Sequence, residues 1–394
     1  MSSIESIGHP LVYKVDKHTI SLPTIKNETG HVAIRVSAHA LEGMQKEAII
    51  EYLPTGTVWR MVSDEGPYLN GTDLAPFPLA FYTAGMAFSF MEEILRHAKA
   101  RGVTIHSLKL TQHNYYTMEG SALRGDMTGG AKPVELDVEV EADTSQDVIV
   151  EIISQAEATS PPQAYMRDIL ENTFALYSNG RQIPVKRVKP SLKDIIDDPA
   201  PLFDDLRPLG ENAYQPDIIV KHSAAEAIFN VEGGAGSSLQ SEQKRILHVW
   251  GIANLRADGL KEIVVQLLKP IGSVFRIVSD DALDGGQERA PSGLAYLSAG
   301  VGFCYLTQLG RYAHIVKQPL EYYAIAQDNI FHLEDGMAKA NPVDTHLFVR
   351  FSGTDGDAQQ LLSMGEQTCF LHAAMRSSNP TKITINSGGQ RIEL

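Results

Sequence analysis

The chain has 394 residues, 43% of them hydrophobic and 21% charged, which is typical of a globular rather than a disordered protein. Its formal net charge is −14. This excess of acid argues against a nucleic-acid partner, which needs a basic face, and against an anionic membrane surface. Two cysteines, no secretory signal features in residues 1–6 and no long apolar run indicate a cytoplasmic protein.

The first half of the chain alternates strands and helices. Alternating polarity over 31–36 and 47–52 predicts strands. Pro76 and Gly102 bracket a predicted central helix over 76–101. The predicted elements that follow are a strand over 105–116, a glycine-rich loop over 125–130, a strand over 134–140, a helix over 145–159 and a hairpin that turns at Asn179-Gly180.

The second half repeats this order after a proline- and aspartate-rich linker. The predicted elements are strands over 247–255 and 263–268, a helix over 291–312, strands over 320–331 and 345–351, a helix over 355–375 and a last hairpin. A glycine-rich run at 233–238 lacks the Lys-Ser/Thr ending of a P-loop, so we interpret it as a flexible loop. We expect an α+β fold with domains at 1–189 and 218–394, joined by the linker 190–217.

Sequence motifs recur between the halves. Residues 58–64 read Val-Trp-Arg-Met-Val-Ser-Asp, and residues 274–280 read Val-Phe-Arg-Ile-Val-Ser-Asp. A repeat of this length indicates a duplicated domain rather than a solenoid. Both central helices are apolar nearly all round over 79–90 and 294–306, so each must be covered on most sides. We therefore expect the strands to wrap around two packed central helices in an intramolecular pseudo-dimer.

These features resemble the OsmC/Ohr family of thiol-dependent hydroperoxide reductases across most of both halves. The matching features are the Pro-x-x-Leu openings at Pro76 and Pro291 and the spacing to a second helix. In that family an Ala-Ala-Cys-Phe-type segment of the central helix carries the cysteine that attacks the peroxide, and a Cys-Pro on the second helix carries the resolving cysteine. Members are intertwined homodimers, so the resemblance implies a pseudo-dimer in one chain and allows a further homodimer.

The chain departs from that pattern at the cysteines. Counted from the opening prolines, the attacking cysteine would fall at Ala87 and at Gly302. The resolving position is Ser160 in the first half and Cys369 in the second, and Cys304 lies two residues beyond the expected place. The resemblance therefore implies thiol chemistry in the second half only.

The position of Cys304 bears on whether the two cysteines meet. Two residues along an α-helix correspond to a rotation of about 200°. On an unbroken helix Cys304 would face away from the catalytic face, so we expect no easy disulfide with Cys369 unless the helix is bulged or its register is slipped. The alternative interpretation of both cysteines is that they are small buried residues.

A reactive thiol needs a positive charge or a helix N-terminus nearby. The resemblance implies an arginine from the strands, and Arg60 and Arg276 recur in an Arg-x-Val-Ser-Asp motif. From the residues alone we interpret the motif as a buried ion pair that positions the following loop. The alternative is that it lines a ligand site.

A metal site is a further alternative for the cysteines. Cys369 and His372 share a predicted helix face, and Cys304 and His314 would complete a set of four ligands. Because the sequence offers only one close pair, we expect no metal and no cofactor.

Two functions remain open from the sequence. The first is thiol-dependent peroxidase or related thiol chemistry, with Cys369, Cys304 and Arg276 as catalytic residues. The second is a non-peroxidase protein, differently catalytic or binding a small apolar ligand between the halves. The expected ligand-binding residues are Arg60, Tyr82, Met86, Ala87, Phe88, Gly302 and Phe303. On either hypothesis the partner is a small apolar or hydroperoxide molecule.

Overall fold

The computed structural model describes residues 2–20, 28–210, 217–226, 243–281 and 287–394. The glycine-rich run at 233–238 lies outside them. No helix in these ranges has the length and low polarity that a membrane span requires. The helices are α1 (Ile4–Ile7), α2 (Pro78–Ala100), α3 (Gln146–Thr159), α4 (Pro161–Arg167), α5 (Gly293–Ile315), α6 (Asp355–Thr368) and α7 (Phe370–Met375).

The strands lie in two sheets, which gives the mixed helix and strand content expected of an α+β protein. Strands from the first half are β1 (Val12–Lys14), β2 (His31–Ala40), β3 (Lys46–Tyr52), β4 (Thr57–Ser63), β5 (Ile105–Gly120), β6 (Thr128–Ala131), β7 (Glu135–Ala142), β8 (Thr173–Ser178), β9 (Arg181–Ile183) and β10 (Lys189–Pro190). Strands from the second half are β11 (Ile219–Ser223), β12 (Gln243–Leu255), β13 (Lys261–Lys269), β14 (Val274–Ser279), β15 (Tyr322–Glu334), β16 (Met337–Ala340), β17 (Asp344–Arg350), β18 (Lys382–Ser387) and β19 (Gln390–Glu393).

Each sheet contains strands from both halves of the chain. The ten-stranded sheet runs β1-β4-β3-β2-β15-β17-β8-β10, with β9 on β8 and β16 on β15. The nine-stranded sheet runs β11-β14-β13-β12-β5-β7-β18-β19, with β6 on β5. The halves meet where β2 pairs with β15 and where β12 pairs with β5, both antiparallel. Neither sheet can therefore form from one half alone.

The two junctions have matching registers. His39 faces Ala324 in one sheet, and Asn254 faces Lys109 in the other. Each partner lies 215 residues from its counterpart (39 to 254, and 109 to 324). The strand order β4-β3-β2 in one sheet likewise matches β14-β13-β12 in the other.

Helices α2 and α5 cross between the sheets, α2 packing on β12 and β13 and α5 on β2 and β3. Glycines let their backbones meet. A Cβ added to Gly85 would lie 2.4 Å from the backbone nitrogen of Leu297, and one on Gly300 would lie 2.7 Å from that of Tyr82. These contacts are reciprocal at the same offset of 215 residues. Both helices are buried along most of their length, as their apolar sequences predict.

Two predicted elements differ from the structure. The helix predicted over 355–375 is two helices, because the backbone at Cys369 is extended (φ −67°, ψ 120°). The loop predicted over 125–130 contains the start of β6, which pairs with an end of β5 that runs beyond the predicted strand. Strand β6 passes against the helix break: a Cβ on Gly129 would lie 2.8 Å from the Thr368 carbonyl oxygen. Glycine is the residue that permits this approach.

The linker lies along one face of the ten-stranded sheet. Side chains alternate along β2, so Ile34, Val36 and Ala38 point into the main core while Arg35 and His39 lie on the other face. On that face the ring of Phe203 in the linker stacks on that of His39, with centroids 4.0 Å apart. At the sheet edge Leu209 donates its backbone N–H to the Lys14 carbonyl oxygen at 2.8 Å, and Pro208 bridges to Val15. The described part of the linker, 190–210, thus packs against side chains of the sheet.

Candidate active site

The two cysteines lie side by side in the core. The Cys369 Sγ is 3.5 Å from the Cys304 Sγ, and the residues are 0% and 2% exposed. Both are free thiols. The expectation that Cys304 faces away from Cys369 is therefore wrong.

The error lies in counting the helix register from Pro291. The rotation between positions 302 and 304 is as large as expected, but Gly302 is the residue that faces the ten-stranded sheet. A Cβ on Gly302 would lie 3.1 Å from the Val36 Cγ1 and 3.2 Å from the Ile325 Cδ1. Cys304, on the other side of α5, faces the junction of α6 and α7. The face of α5 that meets the α6–α7 break is thus the face of Cys304.

The break between α6 and α7 sets the position of Cys369. Cys369 ends α6 and precedes α7, with its own N–H bonded to the Gly365 carbonyl oxygen. Ser160 occupies the same kind of break between α3 and α4, with φ −75° and ψ 118°. A proline follows Ser160 but not Cys369, so the break in the second half comes from tertiary packing against β6.

Charged side chains from both halves interact electrostatically with the Cys304 thiol. Lys46 is 1% exposed; burial lowers its pKa, and Glu65, Asp64 and Cys304 act electrostatically in the opposite direction. Burial likewise lowers the pKa of Arg311, and Glu65, Tyr68 and Cys304 oppose this effect. A thiolate formed at Cys304 would therefore be attracted to the cationic forms of both side chains.

Glu65 is buried beside these cations. Tyr68 donates its hydroxyl to the Glu65 Oε2 at 2.7 Å, and Thr307 donates to the Oε1 at 3.1 Å. Burial raises the pKa of Glu65, and the charge of Lys46 partly offsets this effect. A carboxylate with a raised pKa accepts a proton more readily than an ordinary carboxylate does.

Burial also raises the pKa of Cys304 well above its ordinary value, and the neighbouring Cys369 sulfur adds to the effect. Cys304 is therefore in the thiol form at neutral pH. The geometry still suits disulfide chemistry, because a move of about 1.5 Å would bring the sulfurs to the bond length of about 2.05 Å.

The predicted arginines are engaged elsewhere. Arg60 donates its Nε to the Glu47 Oε1 at 2.6 Å and its Nη1 to the Pro10 carbonyl oxygen. Arg276 donates its Nη1 to the Glu262 Oε2 at 2.9 Å and its Nη2 to the Asp217 carbonyl oxygen. Arg60 thus forms a buried ion pair, whereas the pair of Arg276 is partly exposed, with side-chain exposures of 15% and 29%.

Lys46 and Arg311 were missed as candidate residues, although the sequence carried a signal for Lys46. Lys46-Glu47 and Lys261-Glu262 recur 215 residues apart, each at the start of an apolar strand. A lysine that recurs at the same strand position among apolar neighbours indicates a buried charged side chain, as the repeated arginines do. Arg311 has no such signal, because helix arginines are ordinarily exposed.

The predicted ligand-binding residues of the central helices are closely packed. Tyr82 donates its hydroxyl to the Met166 sulfur at 3.6 Å, and the Met86 sulfur accepts from Gln112 at 3.7 Å. Ala87, Phe88 and Phe303 are 1% exposed or less. Arg60 and Gly302 are likewise packed against neighbouring side chains. Ligand binding by this set stays a prediction.

His372 lies close to the cysteines, but the described residues around it do not form a set of metal ligands. Among the described residues, no three histidine, cysteine or acidic side chains converge as metal ligands. Both ring nitrogens of His372 are buried without a hydrogen-bond partner, and its ring centroid is 5.3 Å from that of Tyr305. Burial lowers the pKa of His372 to about 3, so its imidazole is neutral.

No protein-family model and no curated protein matches this chain. Among solved structures it is similar to an OsmC-like hydroperoxide resistance protein from Jannaschia sp. CCS1, with 18% sequence identity and a TM-score of 0.23. The match covers 38% of this chain and 97% of that chain. A likeness of this size identifies no function.

Proposed function

We propose that this protein is a divergent OsmC-like thiol peroxidase that uses Cys304 and Cys369 as a redox pair. The observation that carries the proposal is the 3.5 Å separation of two buried free thiols contributed by the central helix and by the break in the second helix. Cysteines that only fill space in a core need not contact each other. The cations that interact with Cys304 are expected at a reactive thiol.

The assignment of roles follows from the charges. Lys46 and Arg311 interact with Cys304, so Cys304 is the attacking cysteine and Cys369 the resolving cysteine. Glu65, hydrogen-bonded by Tyr68 and Thr307, takes up the thiol proton and returns it to the leaving oxygen. Because both thiols are buried, a local opening at the α6–α7 break admits the hydroperoxide.

The reaction has three balanced steps. The Cys304 sulfur attacks the outer oxygen of a hydroperoxide; the S–O bond forms, the O–O bond breaks, and an alcohol leaves with the proton. The Cys369 sulfur then attacks the Cys304 sulfenic acid; the S–S bond forms, the S–O bond breaks, and water leaves. A dithiol reductant restores both thiols by disulfide exchange and becomes a disulfide itself.

We further propose that the chain is a tandem pair of OsmC-like domains folded as a pseudo-dimer. Three features support this: the matched registers at the two sheet junctions, the reciprocal glycine contacts of α2 and α5, and the recurrence of strand order in both sheets. Contacts that exchange i with j are the mark of a twofold interface. In the other half Ser89 and Ser160 stand at the counterparts of Cys304 and Cys369, so only one site is redox-active.

The test is consumption of cumene hydroperoxide by the purified protein with dithiothreitol as reductant. We expect multiple turnovers for the native chain and none above background for Cys304→Ser. The matched control is Ser89→Ala at the counterpart position, which should keep the native rate. A native rate no higher than that of Cys304→Ser would overturn the proposal.

A further inference from the structure

A second cluster of ionisable side chains lies beneath the linker, on the face of the ten-stranded sheet away from the cysteines. The His39 Nε2 is 3.2 Å from the Glu47 Oε2, and Arg60 donates to the other carboxylate oxygen at 2.6 Å. The side chains of Glu47 and Arg60 are 5% and 0% exposed. Burial opposes ionisation of Glu47, but His39 and Arg60 outweigh it and lower its pKa. An ionised carboxylate is thus held in a buried position.

A cavity of about 410 Å³ opens beside this cluster, within the range of small-molecule sites, about 300–1,000 Å³. His39 and Glu47 line it from the sheet. The linker contributes Phe203, whose ring stacks on that of His39 with centroids 4.0 Å apart. Tyr322 and Arg350 also line it, and the Arg350 guanidinium carbon lies 4.1 Å from the Tyr322 ring centroid.

The charges of the cavity favour an acceptor ligand. Arg60 already neutralises Glu47, so the carboxylate does not repel an anion. His9 and Arg350 bring N–H donors to the lining, whereas the His39 Nε2 already faces the Glu47 Oε2. Arg350 is half-exposed, and its Nη2 pairs with Asp198 at 3.3 Å. That pair occupies one arm of the guanidinium, and its other N–H groups can donate to an oxyanion. The acidic lining residue Asp204 is exposed to solvent.

Two buried polar side chains lie next to Glu47. The Arg60 Nη2 and the Tyr13 Oη are buried without a hydrogen-bond partner, and the Arg60 guanidinium lies 5.6 Å from the Tyr13 ring centroid. Neither residue lines the cavity, so Arg60 acts on the site through the charge of Glu47.

We propose that this cavity binds a small molecule that carries a carboxylate or phosphate group. Arg350 and His9 receive the oxyanion beside His39, and the aromatic rings of Phe203 and Tyr322 contact the remainder of the ligand. The site is separate from the cysteine pair and needs no redox step.

The test is a titration of the full-length protein with succinate and, separately, with inorganic phosphate, following the imidazole NMR signals of His39 and His9. We expect saturable shifts with at least one of the two, and the comparison identifies which oxyanion is preferred.

Arg350→Gln should weaken the affinity about tenfold or more. The matched control is Arg181→Gln, which removes an exposed arginine paired with Asp355 at 3.1 Å and should leave the affinity unchanged. Shifts that never saturate with either anion, or equal affinities in Arg350→Gln and the native chain, would overturn the proposal.

Discussion

At the Cys304 thiol, burial opposes ionisation and holds the pKa well above its ordinary value. Only the thiolate attacks a peroxide. Below the pKa the thiolate fraction rises about tenfold for each pH unit. The first oxidation step should therefore accelerate steadily between about pH 6 and about pH 9. Single-turnover measurement of hydroperoxide loss tests this, and a flat profile over that range would mean that the thiolate is already formed at neutral pH.

Lys46 provides a second prediction at the residue scale. An opposite charge nearby stabilises a thiolate, so Lys46→Met should slow the oxidation of Cys304 about tenfold or more. Lys261 is its counterpart in the other half, is 4% exposed and pairs with Glu92. Lys261→Met is therefore a matched control for the loss of a buried cation, and its rate should stay within about twofold of native. Equal slowing in both variants would indicate a general loss of structure instead of a local charge effect.

The residue scale also shows where sequence reasoning succeeds. The spacing of the second helix matches Cys369 with Ser160, and in the structure each of the two residues lies at a break between helices; the resolving role of Cys369 stays a prediction. The orientation of Cys304 could not be predicted in this way. When a helix register is counted from Pro291, an error at one position shifts every position after it. A slip of two residues turns the side chain to the opposite side of the helix.

At the element scale, the central helices were predictable because propensity and burial agree. Proline at the start and an all-round apolar sequence predict α2 over 76–101, and the structure has Pro78–Ala100. The break at Cys369 was not predictable, since no proline or glycine adjoins it. It depends on β6, which lies far away in the sequence and whose Gly129 contacts the break.

The glycines of α2 and α5 carry a prediction for the helix crossing. Gly85→Ala and Gly300→Ala would each force a Cβ against the other helix backbone, at 2.4 Å and 2.7 Å. Each should lower the free energy of unfolding by about 1–3 kcal/mol or more. The control is Gly356→Ala in α6, where the added Cβ meets only Thr354 Oγ1 at 3.6 Å and helix propensity favours alanine by about 1 kcal/mol. Urea unfolding measures all three, and native-like stability of Gly85→Ala would contradict the close crossing.

At the scale of the whole molecule, the two halves depend on each other for both sheets. Strand β15 continues the sheet of β2, and β5 continues the sheet of β12. Residues 1–189 and 218–394 expressed separately should therefore not form folded monomers, whereas coexpression should yield a folded 1:1 complex. Circular dichroism and sedimentation measure this, and a half that folds as a stable monomer would contradict the shared core.

The central claim is that Cys304 and Cys369 form a redox pair, and mapping their oxidation by mass spectrometry tests it most directly. One equivalent of cumene hydroperoxide added to the reduced protein should produce a Cys304–Cys369 disulfide in the native chain. In Cys369→Ser the same treatment should leave a sulfenic acid on Cys304, trapped by dimedone. Recovery of both cysteines as unmodified thiols in the native chain, under conditions where the hydroperoxide remains unconsumed, would contradict the account.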